Sequence, residues 1–247
     1  MSTGIWSAAS GAVAQTTALD VASNNVANAS TPGYRADRAI FRRELNQAQG
    51  MAMGTRSLKY SLVRTVEPDR RQGQLVHTGR GLDVALKDPD QWFRVSAPQG
   101  IRYTRVGAMQ LASDGILRSP EGFAYLDGGG NVLRVRPDAR TAVIAPDGGL
   151  SVDGIDSGQK LSVVRFTNPG ALVKDGSVLM RALPNAGRPV PTDPDLETEA
   201  IESSNASALS GMTSLVQAAR EFEMVTRVID AFSNIEHRTA QEVGRGK

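Results

Sequence analysis

Hydrophobic and small residues recur at both ends of the chain with a helical period. Near the start, Ile5, Ala9, Ala12, Thr16, Leu19, Ser23 and Val26 are separated by alternating steps of four and three, the spacing of a heptad seam. Near the end, Ala208, Met212, Leu215, Ala219, Phe222, Thr226 and Ile229 follow the same alternation, and Val225, Phe232 and Ile235 widen the stripe. The spacing predicts two amphipathic helices, and two matched seams predict one coiled coil made from both chain ends. Gly4 and Gly11 each weaken a helix by about 1 kcal/mol relative to Ala, so the first helix needs a partner.

The middle of the chain has a different period. From about Thr78 to Pro191, short alternating runs such as Leu82-Asp83-Val84-Ala85-Leu86 and Leu161-Ser162-Val163-Val164-Arg165-Phe166 are punctuated by turn residues, the pattern of short strands. Asp127-Gly128-Gly129-Gly130-Asn131 and Asp147-Gly148-Gly149 read as hairpin turns, because a phosphate cradle would need a following helix. Pro184, Pro189, Pro191 and Pro194 mark the exit from the β region. The expected fold is α+β, with a discontinuous terminal helical coiled-coil domain (1–30 plus 205–247), a polar connecting region (31–77) and an inserted all-β domain (78–204).

The first helix must stop near Asn28 to Ser30. Pro32 disfavours helix at Thr31, and Pro32-Gly33 suits the central positions of a type II turn. Asn25 and Asn28 lie three apart on one face, where their amides are able to bond terminal carbonyls or a neighbouring chain. The next stretch is basic: residues 35–80 hold ten Arg and Lys against four Asp and Glu. Such a run is either a solvated face or a surface meeting an acidic neighbour. Gly50, Gly54, Met51 and Met53 suggest a mobile tip within it.

Composition narrows the function classes. The 247 residues are 40% hydrophobic and only 5% aromatic, enough for one core of ordinary domain size plus extensions. With no cysteine there are no disulfides, thiol nucleophiles or cysteine metal sites. The net charge of +2 and the lack of aromatic interleaving in the basic run argue against nucleic acid. No run approaches the roughly 20 apolar residues of a membrane span, and the start lacks a basic segment followed by an apolar one, so no cleaved signal peptide is expected.

Catalytic constellations are not found. His77 and His237 fall in different predicted regions, so they are not expected to share a metal. Asp88-Pro89-Asp90 and Asp193-Pro194-Asp195 read as solvated proline turns rather than paired acid and base, and no serine has a Gly-x-Ser-x-Gly setting. Neither enzyme activity nor a cofactor is expected.

The segment Asn25-Val26-Ala27-Asn28, with Thr31, Gly33 and Tyr34, resembles the N-terminal signature of the flagellar basal-body rod and hook proteins. Glu202-Ser203-Ser204-Asn205, Met212 and Arg220-Glu221-Phe222-Glu223 resemble that family's second terminal motif, although Ala206 and Gly211 depart from it. Gly81-Leu82-Asp83-Val84-Ala85-Leu86, Trp92-Phe93-Arg94-Val95, Tyr103-Thr104-Arg105-Val106-Gly107 and Asp114-Gly115-Ile116-Leu117 run in the family's order between them.

The resemblance implies a structural rod subunit that polymerises through its terminal helices. It also implies export through the flagellar type III apparatus and a place in the periplasmic part of the basal body. The implied partners are proximal- and distal-rod subunits and further copies of the chain, with no nucleic acid and no membrane insertion. Asn25, Val26, Ala27, Asn28, Thr31, Gly33 and Tyr34 would form the assembly motif. Ile5, Ala12, Leu19, Met212, Leu215, Phe222 and Ile229 are the expected packing residues of the terminal helices. Length and the Trp92-Phe93 pair resemble the proximal-rod type more than the somewhat longer distal-rod type. The alternative from a different class is a monomeric β-rich module that binds a polyanion or cell-wall polymer.

Overall fold

The computed structural model describes residues 3–45, 60–136 and 138–245. It is α+β: an N-terminal helix α1 (Thr3–Ala27), a β-rich middle, and a C-terminal helix α2 (Ala208–Arg245). The chain forms two compact units. One holds α1, α2 and a two-stranded sheet of β1 (Asp37–Leu45) and β2 (Tyr60–Pro68, as far as Glu67), and the other holds Asn28–Ala36 and Pro68–Ala206.

Within the first unit α1 and α2 pack against each other. A methyl group added at Gly11 would lie 3.7 Å from Val225 Cγ1, and one at Gly211 would lie 2.6 Å from Val26 Cγ2. Moving forward along α1 therefore moves backward along α2, so the helices are antiparallel. The covered stripe of α1 is made of small residues, with Ala14 and Ala22 buried and Gly11 and Ala18 half-buried at helical spacing from them. Small contact residues shorten the distance between helix axes. Thr16 and Ser23, placed on the seam by the spacing, are exposed. The stripe of α2 runs through Gly211, Leu215, Ala218, Phe222, Val225 and Ile229. Ser207 caps the start of α2, its hydroxyl accepting the Ser210 N–H at 3.3 Å.

Part of the 31–77 stretch is regular structure, since β1 and β2 pair and β3 (Leu75–His77) follows. The Gly50, Gly54, Met51 and Met53 tip lies outside the described residues.

In the second unit, strand β5 (Trp92–Ala97) is the centre of a nine-stranded sheet. It pairs antiparallel with β6 (Gly100–Thr104), with Phe93 opposite Thr104, and also with strands at Val163–Arg165 and Ala124–Tyr125. Alternation places Phe93, Val95 and Ala97 in the main core and Trp92 in a second core with Tyr103, Val164 and Phe166. The face of Trp92 is covered at that end only, Arg94 being half-buried and Ser96 exposed. Phe93 meets Tyr125 edge to face, with centroids 6.1 Å apart, and the buried Tyr125 hydroxyl donates to the Val106 carbonyl at 2.8 Å.

Strands persist beyond the proline-rich exit. Val190–Pro191 pairs with Val163–Arg165 at the sheet's margin, where a proline's missing N–H is tolerated. Leu196–Thr198 then pairs with β4 (Val84–Leu86), and Ala200–Glu202 with β3. The last strands of the unit thus close onto its first.

Candidate assembly site

The motif at the end of α1 builds a sequence of local clamps. Asn25 uses both amide atoms on one residue: Oδ1 accepts the Asp37 N–H at 2.7 Å and Nδ2 donates to the Asp37 carbonyl at 2.9 Å. The side chain thereby acts as a strand neighbour for the first residue of β1. Asn28 ends the helix by accepting at its carbonyl the Thr31 N–H at 3.1 Å, while the Thr31 hydroxyl donates to Asn28 Oδ1 at 3.3 Å.

Pro32 and Gly33 occupy the middle of the next turn. The Tyr34 N–H donates to the Thr31 carbonyl at 3.2 Å and Gly33 has φ of 68°, the type II arrangement. Gly33 meets a second demand, because a methyl group there would sit 2.5 Å from the Val106 nitrogen. Its own N–H donates to the Glu202 carbonyl at 2.8 Å. Tyr34 is buried against Val106, Ala108 and Val178, with Lys174 Nζ 3.8 Å from its ring centroid, a cation–π contact.

Behind this turn lies a buried charge cluster. Glu202 Oε1 is 3.0 Å from Arg35 Nη2 and also accepts the Gly73 N–H at 3.0 Å. Glu202 Oε2 is 2.5 Å from Arg105 Nη2 and 2.7 Å from Arg105 Nε. Arg105 gives its remaining donors to the carbonyls of Asp88, Gln91 and Leu86 at 2.7, 2.7 and 3.0 Å. Arg35 donates to the carbonyls of Arg70, at 2.9 Å, and Arg71. All three charged side chains are at most 2% exposed. Burial lowers the Arg35 pKa to about 10; Glu202 opposes that shift and Arg105 adds to it. Burial also lowers that of Arg105, with Glu202 opposing.

Asn205 completes the arrangement. Its Oδ1 accepts the Ala36 N–H at 2.6 Å, and its Nδ2 donates to the carbonyls of Asp69 and Arg71 at 3.0 and 2.7 Å. One amide fixes two segments that sequence separates.

The structure brings Asn28, Thr31, Gly33 and Tyr34 together with Asn205, and seats Asn25 on Asp37. Val26 is half-buried against Gly211 and Ala27 is exposed. Ala12, Leu19, Leu215, Phe222 and Ile229 are half-buried, Met212 is exposed, and the side chain of Ile5 lies outside the described residues. Arg35 is a correction: counted with the basic surface, it is buried because Glu202 and two backbone carbonyls receive it. Arg105 and Glu202 stand out in the sequence only as members of motifs. The signal for their meeting was a pair of opposite charges inside two otherwise uncharged runs.

Among the described residues, no group of three His, Cys, Asp or Glu side chains could hold a metal, and no helix is long and apolar enough to cross a membrane. Asp88 forms a side-chain turn with the Asp90 N–H at 2.9 Å and an ion pair with Arg165.

The two ends that build these clamps are also where family models match. Residues 5–35 match the model described as flagella basal body rod protein, and residues 197–242 match the flagellar basal body rod FlgEFG protein C-terminal model. The chain is 32% identical to the flagellar basal-body rod protein FlgF of Salmonella typhimurium over 236 residues, covering 90% of each chain. It is 31% identical to FlgG of Agrobacterium fabrum over 247 residues, covering 90% of this chain and 92% of the relative. Against FlgF of Caulobacter vibrioides it is 28% identical over 227 residues, covering 92% of each. The chain belongs to the flagellar basal-body rod protein family. It is a structural rod subunit.

Proposed function

We propose that this subunit polymerises through α1 and α2, that the two helices pair as a coiled coil, and that the assembly is the proximal rod. The supporting observation is the character of α1. In 25 residues it carries one charged side chain, Asp20, and the stripe it covers with Gly11, Ala14, Ala18 and Ala22 is glycine and alanine until Val26 meets Gly211. Ordering each backbone residue costs about 1–2 kcal/mol, and a seam of such small residues buries little apolar area to offset it. Contacts with neighbouring subunits supply the rest, coupling the order of the ends to assembly. Head-to-tail contacts that do not close then generate a helical tube.

The proximal position is favoured by the modest length and the Trp92-Phe93 pair; FlgF and FlgG relatives are both matched over about nine-tenths of each chain. The partners on this reading are other rod subunits and the flagellar type III export apparatus. The subunit works in the periplasmic part of the basal body and has a mechanical rather than a catalytic role.

The test is Leu215→Asp and Ile229→Asp. Both variants are expected to keep the β-rich unit folded, by its cooperative urea transition, and to lose assembly and motility. A normal rod and normal swimming in either variant would rule out the terminal helices as the polymerising element.

A further inference from the structure

Every passage of the chain out of the β-rich unit runs through three short segments, 28–36, 68–78 and 200–206, whose outer ends are the four boundaries of that unit. Each segment is bonded to both of the others. Between the first and the third, the Gly33 N–H donates to the Glu202 carbonyl at 2.8 Å and the Asn205 N–H to the Tyr34 carbonyl at 3.3 Å. Between the first and the second, the Asp69 N–H donates to the Ala36 carbonyl at 2.7 Å and Arg35 to the Arg70 carbonyl at 2.9 Å. Between the second and the third, the Ser203 N–H donates to the Gln74 carbonyl at 2.8 Å and the Glu202 carboxylate accepts the Gly73 N–H at 3.0 Å. These two lie so close that a methyl group at Gly73 would be 1.9 Å from the Ser203 carbonyl oxygen. Losing one segment leaves polar groups of the other two without partners, which is costly where they are buried.

The rest of the unit has an interior of its own. The two larger clusters of buried apolar side chains, one around Phe93, Leu117 and Leu133 and the other around Trp92, Tyr103 and Phe166, contain no residue of the three segments. The segments share a smaller cluster instead, with Tyr34 on Val106, Ala108 and Val178 and with Ile201 and Ala206 at its margin. β3 pairs with Ala200–Glu202 in a separate two-stranded sheet. The segments are fastened to the body by the seat of Tyr34, by the Glu202–Arg105 ion pair, and by side-chain bonds from Gln72 to the Leu86 carbonyl at 2.6 Å and from the Thr78 hydroxyl to Asp83 at 2.7 Å.

We infer that the three segments form a clasp that opens as one cooperative unit while the sheet behind it stays folded, with Glu202 as its latch. Segments that are each bonded to both others open together, and a body with its own cores stays closed without them. Opening lifts Tyr34 from its seat and leaves the Phe93 and Trp92 cores in place. The subunit thereby has a partly open state between native and unfolded. This inference concerns the β-rich unit alone and is independent of how the terminal helices assemble.

Amide hydrogen exchange of the full-length protein in sub-denaturing urea tests it. Gly33, Gly73 and Ser203 supply one reporter from each segment, and Leu117 and Leu133, whose N–H groups donate to the Leu133 and Tyr125 carbonyls, report on the body. The three clasp amides are expected to share one opening free energy and one urea dependence, both smaller than those of the two body amides. Glu202→Gln is expected to speed the clasp amides by a common factor of about tenfold or more. Global unfolding also breaks the latch, so the body amides should quicken by the same factor and the gap between the two groups should persist. Tyr34→Leu loosens the same seat and should preserve the gap as well. Clasp amides with unrelated opening free energies, or five amides that all follow the global urea dependence, would overturn the clasp. A gap that narrows in either variant would overturn it too, because the latch would then be holding the body itself.

Discussion

Arg105 and Glu202, 97 residues apart in the chain, meet through two contacts of 2.7 and 2.5 Å with neither side chain open to solvent. The same carboxylate holds Arg35 at 3.0 Å, so one buried anion serves two buried cations. Removing one partner of a buried ion pair costs about 3–5 kcal/mol, because the charge left behind stays desolvated. Here Glu202→Gln strands two.

Glu202→Gln is therefore expected to lower the unfolding free energy of the β-rich unit by at least that amount, read as a shift of the urea midpoint at constant slope. Arg105→Met removes the charge but keeps much of the buried volume, leaves Glu202 its contact with Arg35, and should cost less than Arg105→Ala. Equal losses for the two would show that charge, not packing volume, governs the site.

Gly33→Ala tests the turn against the space behind it. A positive φ costs a non-glycine residue about 1–2 kcal/mol, and at Gly33 the added methyl also meets backbone at 2.5 Å. Gly122→Ala carries a φ of 93° with nothing within 4 Å, so it isolates the conformational part. The Gly33 variant is expected to be the less stable of the two in thermal unfolding.

Asn25→Ala removes two hydrogen bonds, each worth about 0.5–1.5 kcal/mol net. Faster amide exchange at Asp37 is the expected readout. Asn25→Asp keeps an acceptor for the Asp37 N–H but cannot donate to its carbonyl, so intermediate protection is expected.

The Asp153 carboxylate accepts the N–H groups of Thr141 and Arg140 at 2.9 and 3.0 Å. The backbone bonds, Thr141 first, hold its pKa below the usual 3.8. A carboxyl lowered in the fold contributes stability above its unfolded pKa and loses it as pH falls through the folded value. The Thr141 amide shift should hold steady from neutrality to pH 3.8 and change below it. Asp153→Asn should flatten that change.

The turn at Pro32-Gly33 was legible because proline and glycine encode dihedral angles locally. The phase of α1 was not. So much of that helix is Ala, Gly, Ser or Thr that several stripes satisfy the same alternation, and Thr16 and Ser23 came to lie outside while Ala14 and Ala22 lie inside. In α2 the larger Leu215, Phe222 and Ile229 marked the covered face better, yet Met212, one position past Gly211, is exposed. The cluster of Arg35, Arg105 and Glu202 was hidden because a basic run reads as solvated until the fold delivers a distant carboxylate. Long-range pairing is the information that local periodicity lacks.

β3 lies antiparallel to Ala200–Glu202, with Leu75 opposite Glu202, so the chain arrives near Pro68 and departs near Ala206 on adjacent tracks. Tension drawn between those two points would load this ladder like a zipper, one rung at a time, rather than shearing all rungs together. The Asn205 amide, bonded to the Asp69 and Arg71 carbonyls, is the first rung under that load, and the Glu202 cluster stands directly behind it. Under such tension these groups set the force at which the β-rich unit begins to tear open.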